Sequence, residues 1–90
     1  MSRPKRRRRL CFCPKCYNFK PENPSPQIGD VGILADEIEA IKLHDFDGLD
    51  QIKAASEMEI SQSTFARILA SGRKKMAEAV CMGKAIKIQK

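Results

Sequence analysis

From Gly48 to Arg73 the apolar residues keep a helical period, lose it briefly and then resume it, and this single interruption limits the architecture more than any other feature of the chain. Ile52, Ala55 and Met58 recur at i, i+3 and i+6, and a second stripe runs through Phe65, Ile68, Leu69, Met76 and Val80. Glu59, Ile60 and Ser61 lie between the two. Amphipathic helices joined by so short a turn must cross steeply to bury both stripes, and the first turn of the second helix then faces outward. The expected fold is all-α, a three-helix helix-turn-helix with a basic, disordered N-terminal arm and short β-strands near the termini.

Local signals set the expected boundaries. Helix one is expected over residues 36–46: Leu34, Ile38 and Ile41 form its core stripe, Asp36 and Glu39 have the spacing of a capping box, and Gly48 is placed to end it. Helix two begins at Asp50, whose carboxylate can cap the amides of Ile52 and Lys53. Helix three takes Ser61 as its N-cap and runs to Val80, a rod of roughly 30 Å. That is long for such a motif, so its C-terminal half must pack on helix one or on a second subunit. Ala85, Ile86, Lys87 and Ile88 alternate as a strand does. A strand without a partner and the thin core of a 90-residue chain lead to the expectation of a homodimer.

Three segments follow: a basic arm over residues 1–9, a cysteine- and aromatic-rich stretch with a proline-rich linker over residues 10–27, and the helical domain with its C-terminal strand over residues 28–90. Charge divides the chain more sharply than the net of +6 conveys. Residues 1–20 carry eight Lys or Arg and no acid, residues 36–59 carry eight acids against two lysines, and residues 61–90 carry seven bases against Glu78. Phosphate attracts the first and last of these and repels the middle one, so the arm and helix three are the surface expected to meet a polyanion. No apolar run approaches the ~20 residues of a membrane span, so a soluble, cytoplasmic protein without a membrane partner is expected.

The stretch DEIEAIKLHDFDGLDQIKAASEMEISQSTFARILASGRKKMAEAV resembles the promoter-reading helix-turn-helix of bacterial sigma factors. With the flanking RRLCFCPKCYNFKP and GKAIKI, the whole chain resembles an uncharacterised family of small prokaryotic predicted DNA-binding proteins. The resemblance implies a helical DNA-binding fold and a role in transcription regulation. Three positions depart from the pattern. Glu59 stands where the turn usually carries glycine, because a left-handed backbone costs other residues roughly 1 kcal/mol. Gly72 replaces the usual alanine and marks a bend or a close helix contact. Cys13 and Cys16 are not needed by such proteins.

Individual residues then take expected roles in binding double-stranded DNA. Ser61, Gln62, Ser63 and Thr64 form the cap and first turn of helix three, where free amides and hydroxyls suit a phosphate or a base edge. Gln62 can pair with adenine and Arg67 with guanine in the major groove. Arg73, Lys74 and Lys75 lie further along and suit backbone phosphate. Arg3, Lys5, Arg6, Arg7, Arg8 and Arg9 suit phosphate or a neighbouring minor groove. His44 reads as a surface histidine. Cys11, Cys13 and Cys16 leave three readings open: reduced thiols, a zinc or iron–sulfur site completed by Cys81, His44 or another subunit, or a redox-active pair. Two other classes also stay open, an RNA-binding protein using the arm and a metal- or redox-responsive protein–protein module. No constellation resembling a catalytic site occurs, so an enzyme is not expected.

Overall fold

Alternating burial draws residues 30–33 into a strand that the sequence reading did not assign: Val31 and Ile33 point inward while Asp30 and Gly32 face out. The computed structural model describes residues 9–23 and 29–89. Its elements are β1 (Asn18–Phe19), β2 (Asp30–Ile33), α1 (Ala35–Ile41), α2 (Gln51–Met58), α3 (Gln62–Met82) and β3 (Ala85–Ile88). The chain is therefore mostly helical rather than all-α: among the described residues, three helices pack with a sheet of order β1-β3-β2.

β3 is the central strand. It runs antiparallel to β1, pairing Lys87 with Asn18, and parallel to β2, pairing Ile88 with Ile33. The Ile88 and Gln89 amides donate to the Tyr17 and Ile33 carbonyls, each at 2.8 Å. The expectation of a dimer rested partly on this strand having no partner, and both of its edges are occupied within the chain. A second of its grounds, the overlong third helix, is accounted for within the chain as well, because α3 packs along α1 and β2. Asn18 and Phe19, placed ahead of the fold proper by the sequence reading, belong to the sheet.

α1 starts one residue earlier than expected. The capping pair is Leu34 with Glu37 rather than Asp36 with Glu39: the Leu34 N–H donates to Glu37 Oε1 at 2.9 Å. Leu34 is the cap and lies exposed, so it is not a core residue, and Ile38 and Ile41 are only half-buried. The inward positions are Ala40 and Leu43. Beyond Ile41 the helix widens into a π turn over Lys42–Phe46, with the Asp47 N–H reaching the Lys42 carbonyl at 2.8 Å.

In α2 the buried face is Ala54, Ala55 and Met58, whereas Ile52 is 67% exposed. The i, i+3 reading had included Ile52 as core; the buried face is centred on Ala54 and Met58, and Ile52, two residues before Ala54, lies nearly opposite it on the helix. Val80, also assigned to the core, is 78% exposed, and Ala79 takes the inward position. The remaining core joins Phe65, Ile68 and Leu69 of α3 to Leu43 and Ala40.

Two local devices match their sequence signals. Asp50 Oδ1 accepts the Lys53 N–H at 2.8 Å, which caps α2. Glu59 adopts φ 60° and ψ 43°, the left-handed conformation that the turn demands. Replacing Glu59 by glycine is expected to stabilise the protein by about 0.5–1 kcal/mol and to raise its melting temperature by several degrees in calorimetry. Gly72 is the close helix contact: a Cβ there would lie 3.0 Å from both Glu37 Cβ and Ile41 Cδ1. Gly72→Leu would wedge α1 away from α3 and is expected to cost about 1–3 kcal/mol in chemical denaturation.

Candidate nucleic-acid interface

The turn from Glu59 to Ser61 sets the outward aim of α3. Ser61 is extended at φ −72° and ψ 159°, and its Oγ accepts the Thr64 N–H at 3.1 Å. The same hydroxyl donates to Thr64 Oγ1 at 2.9 Å and lies 3.3 Å from Ser63 Oγ. Ser61 and Thr64 are thus committed to the cap. The Gln62 and Ser63 amides have no carbonyl of their own helix to bond, and the first turn contains no acid, so the positive end of a 21-residue helix is presented without a neutralising side chain on that turn.

Gln62, Ser63, Ala66, Arg67, Ala70 and Lys74 are all exposed. Ser63, Arg67, Ala70 and Lys74 follow one another at i+4, i+3 and i+4 and share one face of α3, with Gln62 and Ala66 beside them. Small alanines between the polar groups leave this face low, and a surface can approach its backbone closely.

Arg73 and Lys75 do not belong to that face, contrary to the expectation that both would meet phosphate. Arg73 forms a two-pronged pair with Asp45, with Nε 3.1 Å from Oδ2 and a terminal nitrogen 2.5 Å from Oδ1. Lys75 Nζ lies 3.0 Å from both oxygens of Glu37. Both cations hold α3 to the acidic first helix. Hydrogen bonding from Arg73 keeps the Asp45 carboxyl below its ordinary pKa despite partial burial. Burial pushes the Glu37 carboxyl up, but the Ser71 hydroxyl, the Leu34 N–H and the Lys75 ammonium outweigh it, and the net shift is downward.

A strap made from residues 9–13 crosses the acidic helices. The Arg9 N–H donates to the Met58 carbonyl at 3.0 Å, satisfying a C-terminal carbonyl of α2. The Phe12 N–H donates at 2.8 Å to Oε1 of Glu39, a residue only 4% exposed, and Lys42 Nζ stands 5.6 Å from the centre of the Phe12 ring. Arg9 is consequently an anchor: its guanidinium lies near Cys11, Glu59 and Glu57, which raise its pKa above the ordinary value. Arg3, Lys5, Arg6, Arg7 and Arg8 lie outside the described residues, as does most of the proline-rich linker. Glu39, Phe12 and Lys42 were not singled out in the sequence, since a contact between residues 27 positions apart leaves no periodic trace.

Cys11, Cys13, Cys16 and Cys81 are exposed and unbridged. The Cys16 thiol donates to the Asn18 carbonyl at 3.0 Å, while Cys11 and Cys13 border a hollow with Glu39, Lys42, Asp47 and Glu57. Among the described residues no three His, Cys, Asp or Glu side chains converge as a metal site would require, so the proposed triad is not gathered. His44 is half-buried rather than on the surface; its Nδ1–H donates to the Leu49 carbonyl at 2.7 Å and its ring meets the edge of Phe65.

The family described as "Protein of unknown function DUF134" matches residues 1–90. The chain belongs to this family. Among its DUF134 relatives, a "UPF0251 protein" of Shewanella halifaxensis is 46% identical over 87 residues, spanning 96% of this chain and 91% of that one. A "UPF0251 protein" of Desulforudis audaxviator is 42% identical over 90 residues, and one of Halothermothrix orenii is 40% identical over 90 residues. The chain spans 59% of the length of the Desulforudis relative and 67% of the Halothermothrix one. No solved structure matches the chain. Among the described residues no helix is long and apolar enough to cross a membrane.

Proposed function

We propose that this DUF134 protein is a sequence-specific double-stranded DNA-binding protein, a transcription regulator whose α2–turn–α3 unit acts as a sigma-factor-like helix-turn-helix. The observation that carries the reading is the bond from Arg9 to Met58, which fixes the basic arm at the turn immediately ahead of the first turn of α3. In this reading phosphate is met by the bare N-terminus of α3 and by the basic residues that precede Arg9, while Glu37, Glu39 and Asp45 are engaged with Lys75, the Phe12 N–H and Arg73. In this reading Gln62, Ser63 and Arg67 face base edges and Lys74 meets a flanking phosphate. Ser61 and Thr64 shape the turn and do not read sequence.

Sites selected from random duplex supply the test. Gln62→Ala or Arg67→Ala is expected to cost about 1–3 kcal/mol on the selected site and little on random duplex. Removing residues 2–8 is expected to weaken binding to every sequence and to flatten its salt dependence, because the slope falls by roughly one unit for each phosphate that the arm no longer neutralises. Gln62 and Arg67 variants that bind like the parent, alongside an arm deletion that erases all discrimination, would show that α3 is not the reading element.

A further inference from the structure

Away from the DNA-facing turn, residues 12–19 arch over a hollow of ≈ 440 Å³ floored by α1, α3 and β3. Phe12, Phe19, Ile38, Met76, Ile86 and Ile88 line it, and all except the largely covered Ile88 remain half-buried or exposed. The volume falls within the range of small-molecule sites, which are mainly apolar with a few polar groups that fix orientation. The Cys16 thiol is turned to the Asn18 carbonyl, and the one charged residue on the lining is Lys15, which is exposed and in none of the ion pairs among the described residues.

We propose that this hollow binds a small organic anion with a hydrocarbon body, of the class of medium-chain or aryl carboxylates. The hydrocarbon fills a cavity that offers buried groups no hydrogen bond, and the carboxylate stays at the rim against the Lys15 ammonium. A ligand charged in the interior is excluded, because no lining group compensates its desolvation. A ligand without charge fits but gains nothing from Lys15. None of the lining residues belongs to the turn proposed to read DNA, so the site stands or falls independently of that reading. Phe12 connects the two regions physically, since it is both a wall of the hollow and the residue whose N–H Glu39 holds.

Two fluorescent probes of matched aromatic size test this, the anion 1-anilinonaphthalene-8-sulfonate and the neutral N-phenyl-1-naphthylamine. Both are expected to bind at one site per chain and to be displaced by octanoate, with affinity rising about fourfold per methylene from hexanoate to decanoate. Lys15→Glu, a surface change, should weaken the sulfonate and octanoate several-fold and leave the neutral probe unchanged. Met76→Trp should fill the hollow and abolish both, with circular dichroism checking that the helices remain. Absence of saturable binding, equal loss of both probes in Lys15→Glu, or full binding by folded Met76→Trp would each overturn the proposal. So would probe uptake that falls as the protein is concentrated, which would assign the hollow to a second copy of the chain.

Discussion

Replacing Phe65 by alanine is expected to destabilise the protein by about 3–5 kcal/mol, most of what a chain of this size has available. Phe65 is fully buried in the cluster that joins the three helices and that includes Leu43, Ala55 and Met58, with the His44 ring at its edge 6.4 Å away. Those partners sit on different elements, so the vacated space cannot close by a side-chain movement alone. The melting temperature should fall by roughly 15–30 °C, and the DNA binding proposed above should be lost with it because α2 and α3 lose their common core. Phe65→Leu keeps most of the volume and should cost far less. Urea titrations that found a loss under about 1 kcal/mol for the alanine variant would mean that Phe65 does not hold the three helices together.

The second large effect concerns Glu37, which is 3% exposed and accepts from three directions: the Leu34 N–H, the Ser71 hydroxyl at 2.6 Å and Lys75. Glu37→Ala leaves the Leu34 amide without its acceptor and Lys75 without its partner, and is expected to cost about 2–3 kcal/mol. The cost stops short of the figure for a fully buried pair because the Lys75 side chain is 32% exposed and can turn to water. The folded carboxyl has a pKa below the ordinary 4.5, so its contribution is complete above that value and is lost as the pH falls through the lower folded pKa. Parent and variant should therefore differ widely in denaturant midpoint at neutral pH and converge in strong acid. A difference of equal size at both extremes would assign the loss to packing rather than to the charge.

The Glu37 prediction acts where α1 meets α3, and that contact is where sequence reading was least informative. Ser61 and Asp50 announce their helices because a cap acts within three residues of itself, and Glu59 was conspicuous because the turn needs a left-handed backbone whatever residue stands there. The stripe of α3 was legible for Phe65, Ile68 and Leu69 and misleading at Val80, since period alone does not reveal where the neighbouring layer ends. Arg67 and Arg73 look alike in sequence. One is exposed on the outward face and the other is clamped to Asp45, a distinction that depends on which side of α3 faces α1.

Residue order alone was enough for the existence of the three helices, the caps of α2 and α3, the turn between them, the terminal strand and the polarised charge, because each follows from interactions among residues a few positions apart. That β3 lies between β1 and β2, that Gly72 admits α1, that Lys75 and Arg73 pair with Glu37 and Asp45, and that Arg9 fastens the arm at Met58 were settled only by the packed fold. These pairings join residues at least 28 positions apart, and their partners are chosen by the packing of whole elements: a buried carboxylate or amide must find whichever complement the fold brings to it.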